Sequence, residues 1–109
     1  TIQFIEPKHR QALINKIFRS LNWGGAFFFV EKVRSYDART QDQITSMYES
    51  FKLKNGFAAS EVFGKKNSLK GVLEPFSTKG NVDMLKRSGF KDISTISKFM
   101  CFECFLAIK

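Results

Sequence analysis

Two apolar, strand-like segments flank one amphipathic helix within the first 33 residues. The segments are residues 1–7 and 26–33, and the pair Gly24-Gly25 stands directly before the second of them. Strand, helix, tight turn and strand is the unit from which parallel α/β sheets are built. Parallel strands need neighbours on both sides and helices on both faces of the sheet. We therefore predict an α/β fold in which these residues form the back half of a larger domain.

The helix between the two strands is predicted over residues 7–21. Pro7 suits its first turn, where a missing N–H costs nothing, and Arg10 falls on its polar face. The following run, residues 26–30, is apolar without alternation, which is typical of a strand covered on both faces. Spacings of three and four place the apolar side chains of the helix on one face: Leu13, Ile14, Ile17, Phe18 and Leu21.

The remaining residues alternate helical and strand patterns without an internal repeat or linker. Asp37 is a candidate cap for a helix over residues 38–54, which Asn55-Gly56 would end. Ser60 could cap one or two short helices joined by a basic loop at residues 65–67. Asn81 could cap a helix over residues 82–88 that Gly89 closes. Residues 92–98 and 99–108 then suit two strands, as a tight hairpin or one long bent strand. We expect residues 1–109 to form a single fragment of one domain.

Composition limits the class of protein. The chain has 109 residues, of which 43% are hydrophobic and thirteen are Phe, so it is expected to be globular. No apolar run approaches the roughly 20 residues of a membrane helix, and no secretory signal is visible. Two cysteines fit a reducing, cytoplasmic setting with free thiols. The net charge of +8 permits direct contact with nucleic acid, although one segment's share of a more balanced protein is the simpler explanation.

Metal and redox motifs are weak in this sequence. Cys101 and Cys104 form a C-x-x-C, but zinc would need a second ligand pair, and the chain has no other cysteine and only one histidine, His9. A redox C-x-x-C begins a helix, whereas this one lies in a predicted strand, whose residues three apart point to opposite faces. We interpret both thiols as structural and His9 as a solvated surface residue.

The sequence also lacks a nucleotide-cradling glycine loop. No G-x-G-x-x-G is present, and Gly24-Gly25 precedes a strand instead of following one. Lys65 and Lys66 follow a helix-like stretch; adjacent lysines are usually only solvated, with a specific anion site as the less common alternative. An apolar stripe on a helix more often packs against the core than lines a ligand pocket. We therefore assign a packing role to Ile44, Met47, Tyr48 and Phe51.

The order of these elements resembles the second half of a Rossmann-like class I S-adenosylmethionine (SAM)-dependent methyltransferase. The turn at residues 21–25 and the helix that ends in Gly89-Phe90 carry this likeness. Several separate blocks are more specific and resemble the carboxy-S-adenosyl-L-methionine synthase family: residues 1–7, 10–13, 24–26, 31–32, 37–38, 51–52 and 55–56. The resemblance runs over the whole chain. It implies the C-terminal half of that fold, with a mixed sheet of two parallel strands and a closing antiparallel pair.

The resemblance also implies a function. Members of that family convert SAM and prephenate to carboxy-S-adenosylmethionine and release phenylpyruvate. The product feeds 5-carboxymethoxyuridine formation at the tRNA wobble position, and members are homodimers. Most cofactor contacts would come from residues outside this chain, so we expect no cofactor bound to these 109 residues alone. The catalytic residues are not identified from this sequence.

One cofactor-binding position falls inside the chain. The family has Lys-Arg before a Ser-Met-Leu stretch, and that Arg binds the added carboxylate of the cofactor; here Lys66 takes its place. Arg offers a planar two-pronged donor and Lys a point charge. Two alternatives therefore remain: a methyltransferase that uses ordinary SAM on RNA or a small molecule, and a non-catalytic basic module that binds RNA or a partner.

Overall fold

The computed structural model describes residues 2–109, which form four α-helices and three strands. A single 3-10 turn at Ile2–Phe4 precedes the first helix. The elements that follow are α1 (Pro7–Ser20), β1 (Ala26–Lys32), α2 (Ala38–Lys54), α3 (Ala59–Ser68), α4 (Thr78–Ser88), β2 (Asp92–Phe99) and β3 (Phe102–Ile108).

The three strands form one sheet in the order β1-β3-β2, and both pairings are antiparallel. The prediction of an α/β fold is confirmed, but the prediction of two parallel strands beside an antiparallel pair is wrong. Strands β1 and β2 run in the same direction, but β3 lies between them. A tight turn joins β2 to β3, as one of the two predicted alternatives had it, and Met100 adopts a left-handed φ of 52° there.

The predicted first strand is absent from the described part of the chain because side-chain hydrogen bonds hold a different backbone shape. The backbone N–H groups of Ile2 and Gln3 donate to the two carboxylate oxygens of Glu31, at 3.1 and 3.2 Å. Residues 2–4 therefore form a 3-10 turn instead of pairing with β1. Thr1, which also belongs to the predicted strand, lies outside the described residues.

The core lies between one face of the sheet and helices α1 and α4. Phe29 and Phe105 are opposite each other on β1 and β3, with ring centroids 5.6 Å apart. The side chains that fill this core are almost completely buried: Ile14, Phe29, Met84, Leu85, Phe90, Phe105 and Ala107. Burial of large apolar side chains is the main favourable contribution to folding.

Gly89 ends α4 and lets it approach α1 closely. Its φ is +119°, and a Cβ at this position would lie 2.7 Å from the ring of Phe18. That ring packs edge-on against Phe90, with centroids 5.0 Å apart. The prediction that Gly89 closes the helix is confirmed.

The other face of the sheet is open except at one end, where Tyr48 of α2 packs against Phe102. Phe28 and Val30 alternate with the core residues of β1 and are 62% and 60% exposed. Their partners on β3, Leu106 and Cys104, lie on the same face. The prediction that residues 26–30 are covered on both faces is therefore wrong for the described chain, because helices α1 and α4 cover one face only.

Two of the predicted helix caps are wrong and one is confirmed. The backbone N–H of Thr40 donates to the Asp37 carboxylate at 2.8 Å, which caps α2 and lowers the pKa of Asp37. Helix α3 begins at Ala59, so Ser60 lies inside it. Helix α4 is capped by Ser77, whose hydroxyl accepts from the Gly80 N–H at 3.0 Å, and Asn81 is buried within the helix.

Helix α1 buries part of the face that its sequence marks as polar. Arg10 is only 2% exposed and donates to the backbone oxygens of Ile5 and Gln3, at 2.7 and 2.8 Å. Its guanidinium lies 4.5 Å from the ring centroid of Phe76, and burial lowers its pKa. Arg10 therefore holds the backbone of residues 3–5, which leads into α1. The pattern of polar and apolar residues along the helix does not reveal this role.

Candidate functional site

A cleft of about 290 Å³ lies where the carboxyl end of β1 meets α2 and α3. Ligands of open α/β sheets bind beyond the carboxyl ends of the strands, so this is the expected place for a site. Its walls carry five cations, Lys32, Lys52, Lys65, Lys66 and Lys70, and apolar side chains that include Val33, Ile44, Val62, Leu69 and Leu73.

Lys66 lies on the α3 side of this cleft. It is in the last turn of α3, so the prediction of a loop at residues 65–67 is wrong. The negative end of the helix dipole favours cations at such a position. Its Nζ is 3.0 Å from Oε1 of Glu49 on α2, and the Lys66 side chain remains 53% exposed. Lys66 therefore presents a positioned but solvent-accessible ammonium group to the cleft.

The β1 side of the cleft is built around Tyr48. The Nζ atoms of Lys52 and Lys32 lie 4.4 and 5.2 Å from the Tyr48 ring centroid, within the range of cation–π attraction. The ring of Phe102 meets Tyr48 edge-on, with centroids 5.5 Å apart. Tyr48 thus joins α2 to the end of the sheet and holds two cations beside it.

Cys101 lines the same cleft and is unsuited to act as a nucleophile. It is 5% exposed, and burial raises the pKa of its thiol, while the charges of Lys32 and Lys52 act in the opposite direction. A thiol with a raised pKa is protonated near neutral pH and is a poor nucleophile. Both cysteines of the motif are free thiols, and Cys104 is half-buried on β3.

The described residues contain no cluster of three or more His, Cys, Asp or Glu side chains that could hold a metal ion. The His9 side chain is 66% exposed, and its Nε2 lies 3.8 Å from a carboxylate oxygen of Glu6.

Within residues 2–109, no helix is long and apolar enough to cross a bilayer.

The structure thus brings Lys66 to a cleft with residues that sequence reasoning did not select. Ile44 and Tyr48 of the predicted packing stripe line the cleft, whereas Met47 and Phe51 of the same stripe are exposed. Lys32 and Lys52 were not predicted as site residues. The sequence did contain one indication that Lys32 belongs to a site, because it stands at the carboxyl end of an apolar strand.

The chain is similar over all of its 109 residues to carboxy-S-adenosyl-L-methionine synthases. It is 38% identical to the one from Campylobacter lari, 40% identical to the one from Staphylococcus epidermidis and 42% identical to the one from Trichodesmium erythraeum. It spans 47%, 48% and 43% of those proteins, which is a little under half of their length. No family model matches the chain. The predicted resemblance to this synthase family is confirmed.

The fold is similar to part of human N-acetylserotonin methyltransferase, which was solved in complex with SAM. The TM-score is 0.63 at 12% identity, and the match covers all of this chain and 27% of the human protein. At this identity the likeness concerns the fold alone. The predicted likeness to a SAM-dependent methyltransferase fold is therefore confirmed at the level of architecture.

Proposed function

We propose that residues 1–109 form the C-terminal part of a carboxy-S-adenosyl-L-methionine synthase of the class I methyltransferase type. The whole protein would convert SAM and prephenate to carboxy-S-adenosylmethionine and phenylpyruvate, for wobble-uridine modification of tRNA in the cytoplasm. The identity of 38–42% over all 109 residues of this chain to proteins of that name supports this. The observation that carries the proposal is the position of Lys66 in a cation-lined cleft at the end of β1.

In this proposal Lys66 binds the carboxylate that distinguishes the modified cofactor from SAM. The last turn of α3 supplies the position, and the ammonium group is paired with Glu49, which also lines the cleft. An incoming carboxylate would compete with Glu49 for the same Nζ. Because Lys offers a point charge where the family has the forked Arg, we expect the carboxylate to be bound with less directional control.

Substituting Lys66 should separate the carboxylated cofactor from plain SAM. The protein for this test is a chimera in which these 109 residues replace the aligned segment of the Campylobacter lari synthase, which supplies the rest of the chain. Lys66→Ala should weaken binding of carboxy-S-adenosylmethionine by about tenfold or more, since a charged hydrogen bond contributes about 1.5–3 kcal/mol. Binding of SAM should change little. Calorimetric titration of both cofactors measures the difference.

Two matched variants control this experiment. Lys66→Arg restores the family residue and should keep or improve the preference for the carboxylated cofactor. Lys86→Ala removes an equally charged, exposed residue of α4 that lies outside the cleft, and it should leave both affinities unchanged. Equal losses for both cofactors in Lys66→Ala would remove Lys66 from the carboxylate site.

The homodimer that the resemblance implies is proposed for the whole protein; in the 109-residue chain alone, the open face of the sheet is a candidate surface for self-association. Phe28 and Val30 are exposed there, and within residues 2–109 no strand pairs with the outer edge of β1. Uncovered strand edges and apolar faces promote association. We expect the 109-residue chain to self-associate at tens of micromolar, and the double variant Phe28→Lys, Val30→Lys to shift it towards the monomer. Sedimentation velocity measures both; a monomeric parent chain would contradict the expectation.

A second candidate function is a SAM-dependent methyltransferase that acts on RNA or a small molecule. The replacement of the family Arg by Lys66 favours it, because a looser carboxylate site leaves room for the ordinary cofactor. Mass spectrometry of the nucleotide that copurifies with the chimera distinguishes the two. A mass increase by one carboxyl group supports the synthase, whereas SAM or its demethylated product supports the methyltransferase.

The third alternative is a basic module that binds RNA or a partner without catalysis. The net charge of +8 and the five lysines of the cleft favour it. Affinity of the 109-residue chain for tRNA that falls steeply with added salt would support it. Direct contact with nucleic acid is not required by the synthase proposal, in which the substrate is a small molecule.

A further inference from the structure

We propose that Lys32, Tyr48 and Lys52 form a second anion subsite in the cleft, distinct from Lys66, which takes one carboxylate of a small dicarboxylate substrate. This inference deepens the proposed function and rests on it for the choice of a dicarboxylate. The subsite itself is argued from the geometry of the three side chains.

The two ammonium groups share one aromatic ring and, within residues 2–109, neither forms a short ion pair. Both Nζ atoms are within 5.2 Å of one ring centroid, that of Tyr48. Within residues 2–109, the ion pairs shorter than 4.0 Å involve Lys8, His9, Lys66 and Lys79, but neither Lys32 nor Lys52. An anion bound beside the Tyr48 ring would be attracted by both charges.

Packed elements fix the backbone positions of both lysines. Lys32 is the last residue of β1 and stands opposite Phe102 in the ladder with β3. Phe102 in turn packs edge-on against Tyr48, which shares helix α2 with Lys52. Lys32 and Lys52 are both half-buried. Cations that are held in place before the ligand arrives cost less conformational entropy on binding than free surface lysines do.

The surroundings strengthen the attraction for an anion. The cleft is lined mainly by apolar surface, and apolar walls lower the local dielectric. Lys32 and Lys52 both lower the pKa of the buried Cys101 thiol against the effect of burial, so their positive field reaches the same point on the cleft wall. A carboxylate there would meet two cations and the edge of an apolar surface.

The dicarboxylate is taken from the proposed function, and the arrangement of the cations is compatible with it. Lys66, paired with Glu49, is on the α3 wall, and the Tyr48 pair is on the β1 wall. With Lys66 assigned to the cofactor, the Tyr48 pair is available to one carboxylate of the substrate. Lys65 and Lys70, which also line the cleft, are available to the other. A molecule with two carboxylates on an apolar body matches this distribution, and prephenate has this chemistry.

The test is an NMR titration of the 109-residue chain with prephenate, read on the Tyr48 ring and the lysine ε-methylene signals. We expect saturable shifts of Tyr48, Lys32 and Lys52. Lys32→Gln and Lys52→Gln should each weaken binding by about fivefold or more, the double variant by more than either, and Tyr48→Phe, which keeps the ring, should weaken it little. Phenylpyruvate, with one carboxylate, should bind more weakly than prephenate.

Lys86→Gln is the matched control, and chemical-shift dispersion confirms that each variant is folded. Lys32→Met retains the aliphatic stem without the charge, in case Lys32→Gln does not fold. No saturable shift up to tens of millimolar prephenate, or an equal loss in Lys86→Gln, would overturn the subsite. The proposed function is tested separately by the nucleotide bound to the chimera. A chimera without carboxylated cofactor would refute the synthase and leave the lysine titration unaffected.

Discussion

Replacing Phe105 with alanine should lower the free energy of unfolding by about 3–5 kcal/mol, the range for a buried Phe whose cavity cannot fully collapse. Phe105 lies in β3, the central strand, and none of its side-chain surface is exposed. Its ring packs against Phe29 from the neighbouring strand and lies in the core that α1 and α4 cover. With β1 and β2 paired on either side, the strand cannot shift to fill the space.

Urea denaturation followed by circular dichroism measures this loss. Phe28→Ala is the matched control, because Phe28 lies in the adjacent strand β1 but on the open face, where 62% of its surface is exposed. It should cost about 1 kcal/mol or less. Dilute protein avoids a contribution from self-association. Similar losses in the two variants would mean that the open face is covered in solution and that the core assigned here is incomplete.

Local signals in the sequence identified those elements whose ends are fixed by neighbouring residues. Helix α2 runs over Ala38–Lys54, as its pattern and the capping Asp37 predict. Gly89 closes α4 because the left-handed backbone and the nearby Phe18 ring both exclude a side chain. Capping and turn chemistry acts over a few residues, so a single sequence can reveal it.

Long-range contacts determine the structure at those residues where the prediction from sequence was wrong. The segment that contains Ile2 has the composition of a strand, yet the carboxylate of Glu31, 29 residues away, captures its backbone N–H. Arg10 has the position of a solvated residue, yet it is buried and donates to the backbone oxygens of residues 3 and 5. Asn81 resembles a helix cap, yet Ser77 takes that role one turn earlier. Such choices depend on which partner the tertiary fold brings near.

The candidate site also depends on long-range contacts that the sequence does not reveal. Lys66 was found through resemblance to a family motif, and its helical position at the cleft could not be inferred from spacing. Lys32, Tyr48 and Lys52 lie on two different elements, and only packing of α2 against the end of the sheet brings them together. No local motif encodes this group of residues, so sequence reasoning assigned Tyr48 to packing.

The 109-residue chain alone should bind SAM at least about 100-fold more weakly than the chimera with the Campylobacter lari synthase. Class I folds hold the nucleotide mainly through a glycine loop after the first strand, whose backbone N–H groups and helix N-terminus approach the ligand closely. These 109 residues contain no such loop: the pair Gly24-Gly25 precedes β1, and Gly25 donates to the Asn22 oxygen at 2.8 Å within a turn.

Isothermal titration of the chain and of the chimera, at the same protein concentration, measures the difference. The chimera carries the complete loop from its relative and serves as the positive control, while the chemical-shift dispersion of its NMR spectrum shows whether the isolated chain is folded. A micromolar dissociation constant for SAM with the isolated chain would mean that the basic cleft itself holds the adenosyl group. The lysines of the cleft would then bind the cofactor as a whole and not only its added carboxylate. In that case Lys66→Ala would have to weaken the binding of SAM and of its carboxylated form alike.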